Sequence, residues 1–254
     1  MSTIRKQQIC ALLKGIETGD PASVEVVNQA KYIQHNPETQ EGSIGLAELF
    51  KRLSKSNPSV NIVRVFADGN YVFAHTEYDF GSPKVGFEIF RFEDDQAVEH
   101  WDNIQPRQGP NPSKHSMVDG TTDVIDLQKT EANRDTVKAF VEDILINRQL
   151  ELLTQYINSD FFTLHNSFIA DGLSAYRSAL ESTSSNVFNI TYDQNHRLLA
   201  DGNFVLSVSE GSIDGVHSSF YDLFRIDEGK IIEHWDTIEA IPPRSNWKNE
   251  NGKF

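Results

Sequence analysis

The stretch Glu99-His100-Trp101-Asp102 returns as Glu233-His234-Trp235-Asp236, 134 residues further along the chain. Phe90-Arg91 returns at the same offset as Phe224-Arg225. Ala67-Asp68-Gly69-Asn70 returns as Ala200-Asp201-Gly202-Asn203 at an offset of 133, and His35-Asn36 as His165-Asn166 at 130. The markers keep their order, and small changes in loop length explain the drift. A fixed period of this kind is the signature of a duplicated structural unit. Copy one spans residues 1–106 and copy two residues 129–254. Between them RQGPNPSKHSMVDGTTDVIDLQ, residues 107–128, is rich in Pro, Gly, Ser and Asp and reads as a connecting arm without regular structure. Its length suits an arm that wraps a domain or crosses between two.

Working outward from the repeats, each copy opens with helices and continues in strands. Ile9, Leu12, Leu13 and Ile16 form the apolar stripe of a first helix, and Gly19-Asp20-Pro21 ends it. Asp20 caps a second helix with Pro21 at its first position. Copy two repeats the pattern with Val137, Phe140, Val141, Ile144 and Leu145, then with Leu150, Leu152, Leu153 and Tyr156. A third helix carries Leu46, Leu49, Phe50 and Leu53 in copy one, and Leu173, Tyr176, Ala179 and Leu180 in copy two. Strands are expected near 60–66, 71–80, 86–92 and 97–104, and again near 187–199, 203–210, 219–226 and 230–238. Helices followed by an antiparallel meander define an α+β class with the helices on one face of a sheet.

Composition narrows the partners. The 254 residues carry 37 acidic and 23 basic side chains, a formal net charge of −14, which repels a phosphate backbone. No basic run marks an anionic membrane surface, no apolar stretch approaches the roughly 20 residues of a spanning helix, and MSTIRKQQIC lacks an apolar signal core. Neither nucleic acid nor membrane is expected as a partner, and the expected setting is the cytoplasm. The single cysteine, Cys10, rules out a disulfide within the chain and reads as a small buried hydrophobe.

The run Tyr32-Ile33-Gln34-His35-Asn36-Pro37 and the hairpin from Phe220 to Asp236 resemble SnoaL-like (polyketide cyclase-like) proteins of the nuclear transport factor 2-like superfamily. The resemblance covers nearly the whole chain, in tandem. It implies two cones, each a curved, mostly antiparallel sheet wrapped around helices, with an apolar pocket inside. Proteins of this superfamily include polyketide cyclases, ketosteroid isomerases, epoxide hydrolases and modules that only bind or scaffold, so fold alone does not select a reaction. Their sheets commonly pack on a partner sheet. The resemblance therefore implies an intrachain pseudo-dimer with Trp101 and Trp235 at its contact, and leaves a further homodimer open.

Strand alternation sorts the candidate site residues, since neighbours point to opposite faces. On the last strand His100 and Asp102 share a face with Val98 and Ile104; His234 and Asp236 share theirs with Ile232 and Ile238. That face is assigned to the pocket. The same test selects Tyr71, Phe73, His75 and Glu77 on an earlier strand, matched by Phe204, Leu206, Val208 and Glu210. On the third strand it selects Glu88 and Phe90, matched by Asp222 and Phe224. His35 with Asn36, and His165 with Asn166, complete the two sets.

Carboxylates beside imidazoles in an apolar cavity suit proton transfer next to a carbonyl, because burial moves a carboxyl toward the working pH range. SnoaL-like cyclases use no cofactor, so the resemblance implies a cofactor-free lyase or isomerase acting on a small, partly apolar molecule. Asp102 and Asp236 occupy the positions that resemble the family's acid/base. His100, His35, His234 and His165 are then expected to orient or polarise the carbonyl oxygen. The competing reading is a non-catalytic ligand-binding or protein-interaction module, in which His100 and Asp102 only satisfy each other in a polar core. No HxH or HExxH spacing supports a metal, and GxSxG is absent. Copy one is the favoured catalyst, because copy two has Val208 for His75 and Leu164 for Gln34.

Overall fold

A computed structural model describes residues 2–181 and 189–254, which form two compact units. The first comprises residues 1–107 and 241–254, the second residues 108–240. The expected division at 106 and 129 therefore changes in two places. The arm 108–128 belongs to the second unit, and the segment 241–254, expected in copy two, belongs to the first. Side-chain amides explain both assignments. Asn111 donates to the Leu164 and Ile169 carbonyls, while Asn249 donates to those of Asn36 and Thr39.

In the first unit α1 (Ser2–Thr18) is followed by a 3-10 turn (Pro21–Val26), whose Asp20 cap accepts from the Ala22 amide as expected. Then come β1 (Ile33–Gln34), α2 (Gly42–Leu53), β2 (Ser59–Asp68), β3 (Tyr71–Asp79), β4 (Pro83–Glu93) and β5 (Gln96–Pro106). The second unit has α3 (Thr130–Phe140), running into a π-helical turn (Val141–Ile146), then α4 (Leu153–Tyr156), β6 (Thr163–Leu164) and α5 (Leu173–Glu181). It ends with β7 (Ile190–Asp201), β8 (Phe204–Ile213), β9 (Val216–Asp227) and β10 (Lys230–Ala240). The expected start of β7 near 187 lies outside the described residues.

Both sheets have five strands, in the orders β1-β5-β4-β3-β2 and β6-β10-β9-β8-β7. Four strands form an antiparallel meander, and the two-residue strand joins the last one in parallel. The class is α+β with mixed sheets, as the sequence implies. The repeated Gly-Asn turns close the β2–β3 and β7–β8 hairpins. Gly202 has φ +60°, and a Cβ there would lie 2.1 Å from the Ile125 carbonyl oxygen, so only glycine fits.

Helices cover one face of each sheet. In the first unit Ile9, Leu12, Leu13 and Ile16 of α1 pack with Val72, Ala74, Phe90 and Phe92. In the second, Val137, Phe140 and Ile144 pack with Val205, Phe224 and Ile226. The cross-strand register tells which residues share that face. Val72, Phe90 and His100 are aligned, as are Ala74, Glu88 and Asp102. The other face carries Phe73, Ile89 and Trp101, and His75, Phe87 and Asn103. Cys10 is half-buried on α1, not fully enclosed. No helix among the described residues is long and apolar enough to cross a membrane.

Candidate functional site

The register corrects half of the expected site. On β3 the helix-facing residues are Val72, Ala74, Thr76 and Tyr78, so Tyr71, Phe73, His75 and Glu77 lie on the far face. His75 stacks on Phe87 and pairs with Arg64, and Tyr71 meets Trp101. In the second unit Phe204, Leu206, Val208 and Glu210 are also on the far face; Phe204 meets Trp235, and Glu210 pairs with His196 and His217. Alternation could not decide this, because β3 and β8 bury apolar residues on both faces. Only pairing to a neighbour of known orientation does.

His35 and His165 are a second correction. On β1, Gln34 is aligned with His100 and faces the helices, so His35 must point away and Asn36 back again. The His35 ring stacks on Trp101 at 4.6 Å, with Nδ1 at 3.0 Å from the Gly252 carbonyl and Nε2 at 2.9 Å from Glu99. Both ring nitrogens face acceptors, which calls for the doubly protonated ring. Arg91 donates to the other Glu99 oxygen. Burial pushes the Glu99 carboxyl up, but His35 and Arg91 outweigh it and hold it below the usual range. His165, Trp235, Glu233 and Arg225 repeat this arrangement with the Ser116 carbonyl in place of that of Gly252. It ties β1 and β6 to their sheets and lies outside the pockets.

What the helix-facing side gathers in the first unit is a polar floor beneath apolar walls. A cavity of about 170 Å³ is lined by Leu12, Leu13, Ile16, Leu46 and Phe50 above and by Tyr32, Tyr78, Glu88, His100 and Asp102 below. Asn36, Phe90 and Ile104 complete that floor. Asn36, Glu88, Phe90, His100 and Asp102 were expected here. Tyr32 and Tyr78 were not, and Gln34 and Lys253 act on the floor through His100 and Asp102 without lining the cavity.

The hydrogen bonds fix proton positions. The Asn36 amide donates to Gln34 Oε1 at 2.9 Å, so that atom is the amide oxygen. His100 Nδ1, 2.9 Å from the same oxygen, must then donate to it. His100 Nε2 lies 2.6 Å from Glu88 Oε2, and the two share one proton, as imidazolium-carboxylate or as imidazole-carboxylic acid. Tyr78 donates to the second Glu88 oxygen at 2.6 Å. Burial pushes the Glu88 carboxyl above its ordinary value; His100 and Tyr78 only moderate this.

Asp102 is treated differently. Asn36 Nδ2 donates to its Oδ2 at 2.6 Å, and the Lys253 ammonium sits 2.9 Å from its backbone oxygen and 3.4 Å from Oδ1. Burial pushes this carboxyl up, but Lys253, His100 and Asn36 together pull it below the aspartate range. Tyr32 presents a buried hydroxyl with no hydrogen-bond partner among the described residues. Burial, with Glu88 and Asp102 nearby, keeps it a phenol far above neutral pH. Ligand atoms of Glu88, His100 and Asp102 converge within 4.8 Å, the reach of a metal ion. Both His100 nitrogens are engaged, however, and the Lys253 ammonium already supplies a cation at Asp102, so the donor set does not fit one.

The second unit repeats the frame with Asn166, Asp222, Phe224, His234 and Asp236, which the structure brings together as expected. Asn166 donates to Asp236 at 2.6 Å, and His234 Nε2 meets Asp222 at 2.9 Å. Tyr192 reaches both Asp222 oxygens at 3.2 Å. Phe162 stands in the position of Tyr32 and Leu164 in that of Gln34, and His234 Nδ1 is buried without a partner among the described residues. Burial raises the Asp236 carboxyl above its ordinary value, with Asp222 adding to the rise and His234 opposing it. His115, Asp119 and His165 also converge within 4.8 Å, but the His165 nitrogens already face Ser116, Asp119 and Glu233.

No family model and no curated protein matches the chain. Among solved structures, a candidate ketosteroid isomerase from Kribbella flavida is similar at 18% identity over 45% of this chain and 84% of its own, with a TM-score of 0.39. TsrD from Streptomyces laurentii matches at 19% over 39% of this chain and 86% of its own, with a TM-score of 0.35. An LEH-like epoxide hydrolase from M. tuberculosis matches at 20% over 44% and 85%, with a TM-score of 0.35. The chemistry below rests on the side chains of this chain and not on these likenesses.

Proposed function

We propose that the first unit is a proton-transfer site for a small, partly apolar carbonyl compound. The observation that carries this is the pairing of an ionised Asp102 with the free Tyr32 hydroxyl at the floor of an apolar cavity. Asp102 takes a proton from the carbon next to the carbonyl. The C–H electron pair becomes a C=C bond, and the carbonyl oxygen gains the charge. Tyr32 donates to that oxygen, where a hydrogen bond in a dry site is worth most. The proton then returns to another carbon, an isomerisation, or the enolate attacks a second carbonyl of the same molecule and the resulting alkoxide takes the proton back from Asp102, an aldol closure. Residues and substrate balance the step without a cofactor. His100, fully engaged by Gln34 and Glu88, does not polarise the substrate directly. With Glu88 it keeps the floor polar and supplies a nearby exchangeable proton.

The cavity of about 170 Å³ admits only a small compound or one arm of a larger one. The test is hydrogen–deuterium exchange. A panel of small ketones and 1,3-dicarbonyl compounds is incubated with the intact chain in deuterated buffer, and label at the α-carbon is followed by NMR. Exchange above buffer that disappears in Asp102→Asn supports the reading. No exchange with any compound, or exchange indifferent to Asp102, rejects it in favour of a module that only binds.

A further inference from the structure

The segment 241–254 grips the first unit along the turn that carries Asn36. The Lys248 amide donates to the Pro37 carbonyl at 2.8 Å, Asn249 to the Asn36 and Thr39 carbonyls at 2.7 and 3.0 Å, and Asn251 to the Gln34 carbonyl at 3.0 Å. His35 then pins the Gly252 carbonyl. The next residue is Lys253, whose side chain is 3% exposed and whose ammonium ends at Asp102. Burying an ammonium is costly unless it is paired, so its place beside an acid of the cavity needs an account.

The second unit supplies the control. There the arm 108–128 takes the same role, with His165 pinning the Ser116 carbonyl as His35 pins that of Gly252. The residue after Ser116 is Met117, also buried, whose sulfur accepts from the Gln108 amide. An uncharged side chain thus follows the pinned carbonyl in that unit. The lysine is not what holds the segment.

We infer that Lys253 is a positioning residue of the first pocket: its ammonium fixes Asp102 as the charged carboxylate, which makes the first unit, and not the second, able to accept a proton. The catalytic half of this rests on the proton-transfer reading; the charge half does not. The groups facing Asp102 are His100 from β5, Glu88 from β4, Tyr78 from β3, Tyr32 and Asn36 on either side of β1, and Lys253. Glu88 works against ionisation of Asp102, and both tyrosines are neutral. His100 shares its proton with Glu88, so that pair carries no net charge. Arg52 from α2, Lys84 from β4 and Glu38 also line the cavity, and Lys253 is the cation that contacts Asp102. Without it Asp102 stands as Asp236 does, a buried carboxyl beside a His–acid pair, and Asp236 is held above its ordinary value.

The experiment reads charge directly. Aspartates are labelled at the carboxyl carbon in the intact chain, the Asp102 resonance is assigned by its loss in Asp102→Asn, and its shift is followed against pH in the wild type, Lys253→Met and Lys253→Arg. Asp102 should titrate below the ordinary aspartate range in the wild type, move upward past it in Lys253→Met, and return downward in Lys253→Arg. In the exchange assay, Lys253→Met should shift the acid limb of the rate–pH profile upward by the same interval, with KM unchanged. A merely structural lysine would not move that limb. Asp102 titrating alike in all three proteins overturns the inference, and so does an upward move that the arginine fails to reverse. Neither titration needs a substrate. If no carbonyl compound exchanges, the proton-transfer reading falls while the charge assignment is still decided.

Discussion

The two units share a backbone frame and differ in what lines it. On the far face of each sheet the same four side chains recur: His35, Trp101, Glu99 and Arg91 in one, His165, Trp235, Glu233 and Arg225 in the other, with matching contacts. On the pocket face an asparagine, a phenylalanine, a histidine and two acidic positions recur. Tyr32 becomes Phe162, Gln34 becomes Leu164 and Glu88 becomes Asp222, and Lys253 adds an ammonium at Asp102. Every one of these changes touches where protons sit. The first unit has a free phenol, an oriented imidazole and a held carboxylate. The second lacks the oriented imidazole and the held carboxylate, and its buried Tyr176 packs edge-on against His234. What recurs ties the strands together; what diverges sets ionisation. Duplication thus leaves one unit as an internal control for the other.

The comparison breaks most directly at the aspartates. Removing a general base costs about 10²–10⁴-fold in rate. Asp102→Asn should lose α-proton exchange by that factor, measured below its melting temperature, while Asp236→Asn leaves the rate unchanged. Equal losses would mean that both pockets work and that the divergence is idle. Tyr32→Phe gives copy one the residue of copy two. Loss of one oxyanion donor costs roughly 10²–10³-fold, expressed in kcat because the charge it meets develops in the transition state. A rise in KM with kcat preserved would place the hydroxyl in ground-state binding instead.

Much of this was legible in the sequence. Repeated tetrapeptides in a constant order, at offsets of 134 and 133, point to the tandem organisation, and helical stripes before alternating runs point to the α+β class. The pocket was half legible. His100 and Asp102 are legible because the last strand sets polar residues between aliphatic ones, Glu88 because it shares a face with Phe90, and Asn36 because His35-Asn36 recurs as His165-Asn166. Tyr71, Phe73, His75 and Glu77 were misplaced because β3 is apolar on both faces and its register is not written in its own residues. His35 was drawn in with Asn36 although adjacent residues on a strand cannot share a face; applying that rule to β1 would have put Gln34 in the site in its place. Lys253 was beyond reach, since 151 residues separate it from Asp102 and nothing local marks a docking segment.

A finer comparison concerns the oriented imidazole. Gln34→Leu gives copy one the arrangement of copy two, in which a buried histidine nitrogen lacks a partner. Gln34 Oε1 also accepts from the Asn36 backbone amide, so two donors lose their acceptor, and each buried donor left unsatisfied costs about 1–3 kcal/mol. Chemical denaturation should show a loss of that size, and the His100 imidazole resonances should lose their dependence on the Gln34 side chain. Undiminished stability would mean that the ring rotates or that water replaces the amide.

The smallest effect lies in stability against pH, and its sign is the test. Asp236 has a folded value above its unfolded one, so its contribution is complete below the unfolded value and is lost as pH rises through the folded value. An asparagine in its place cannot ionise and keeps the Asn166 hydrogen bond through its own oxygen. Relative to wild type, Asp236→Asn should therefore gain stability as pH rises from acid to neutral. Asp102 has a folded value below its unfolded one; its contribution is present above the unfolded value and lost as pH falls through the folded value. Asp102→Asn should thus be weakest at neutral pH, where Lys253 loses the carboxylate charge, and should close on wild type toward acid. Groups away from the substituted aspartate are common to each pair and drop out of the differences, whereas Glu88 loses one cause of its rise in Asp102→Asn and offsets part of that slope. Melting temperatures of the two variants, each subtracted from wild type across this range, should slope in opposite directions, with stability effects of about 1–3 kcal/mol at the neutral end. Parallel slopes would mean that Lys253 does not distinguish the two aspartates, and the asymmetry between the units would then rest on Tyr32 and Gln34 alone.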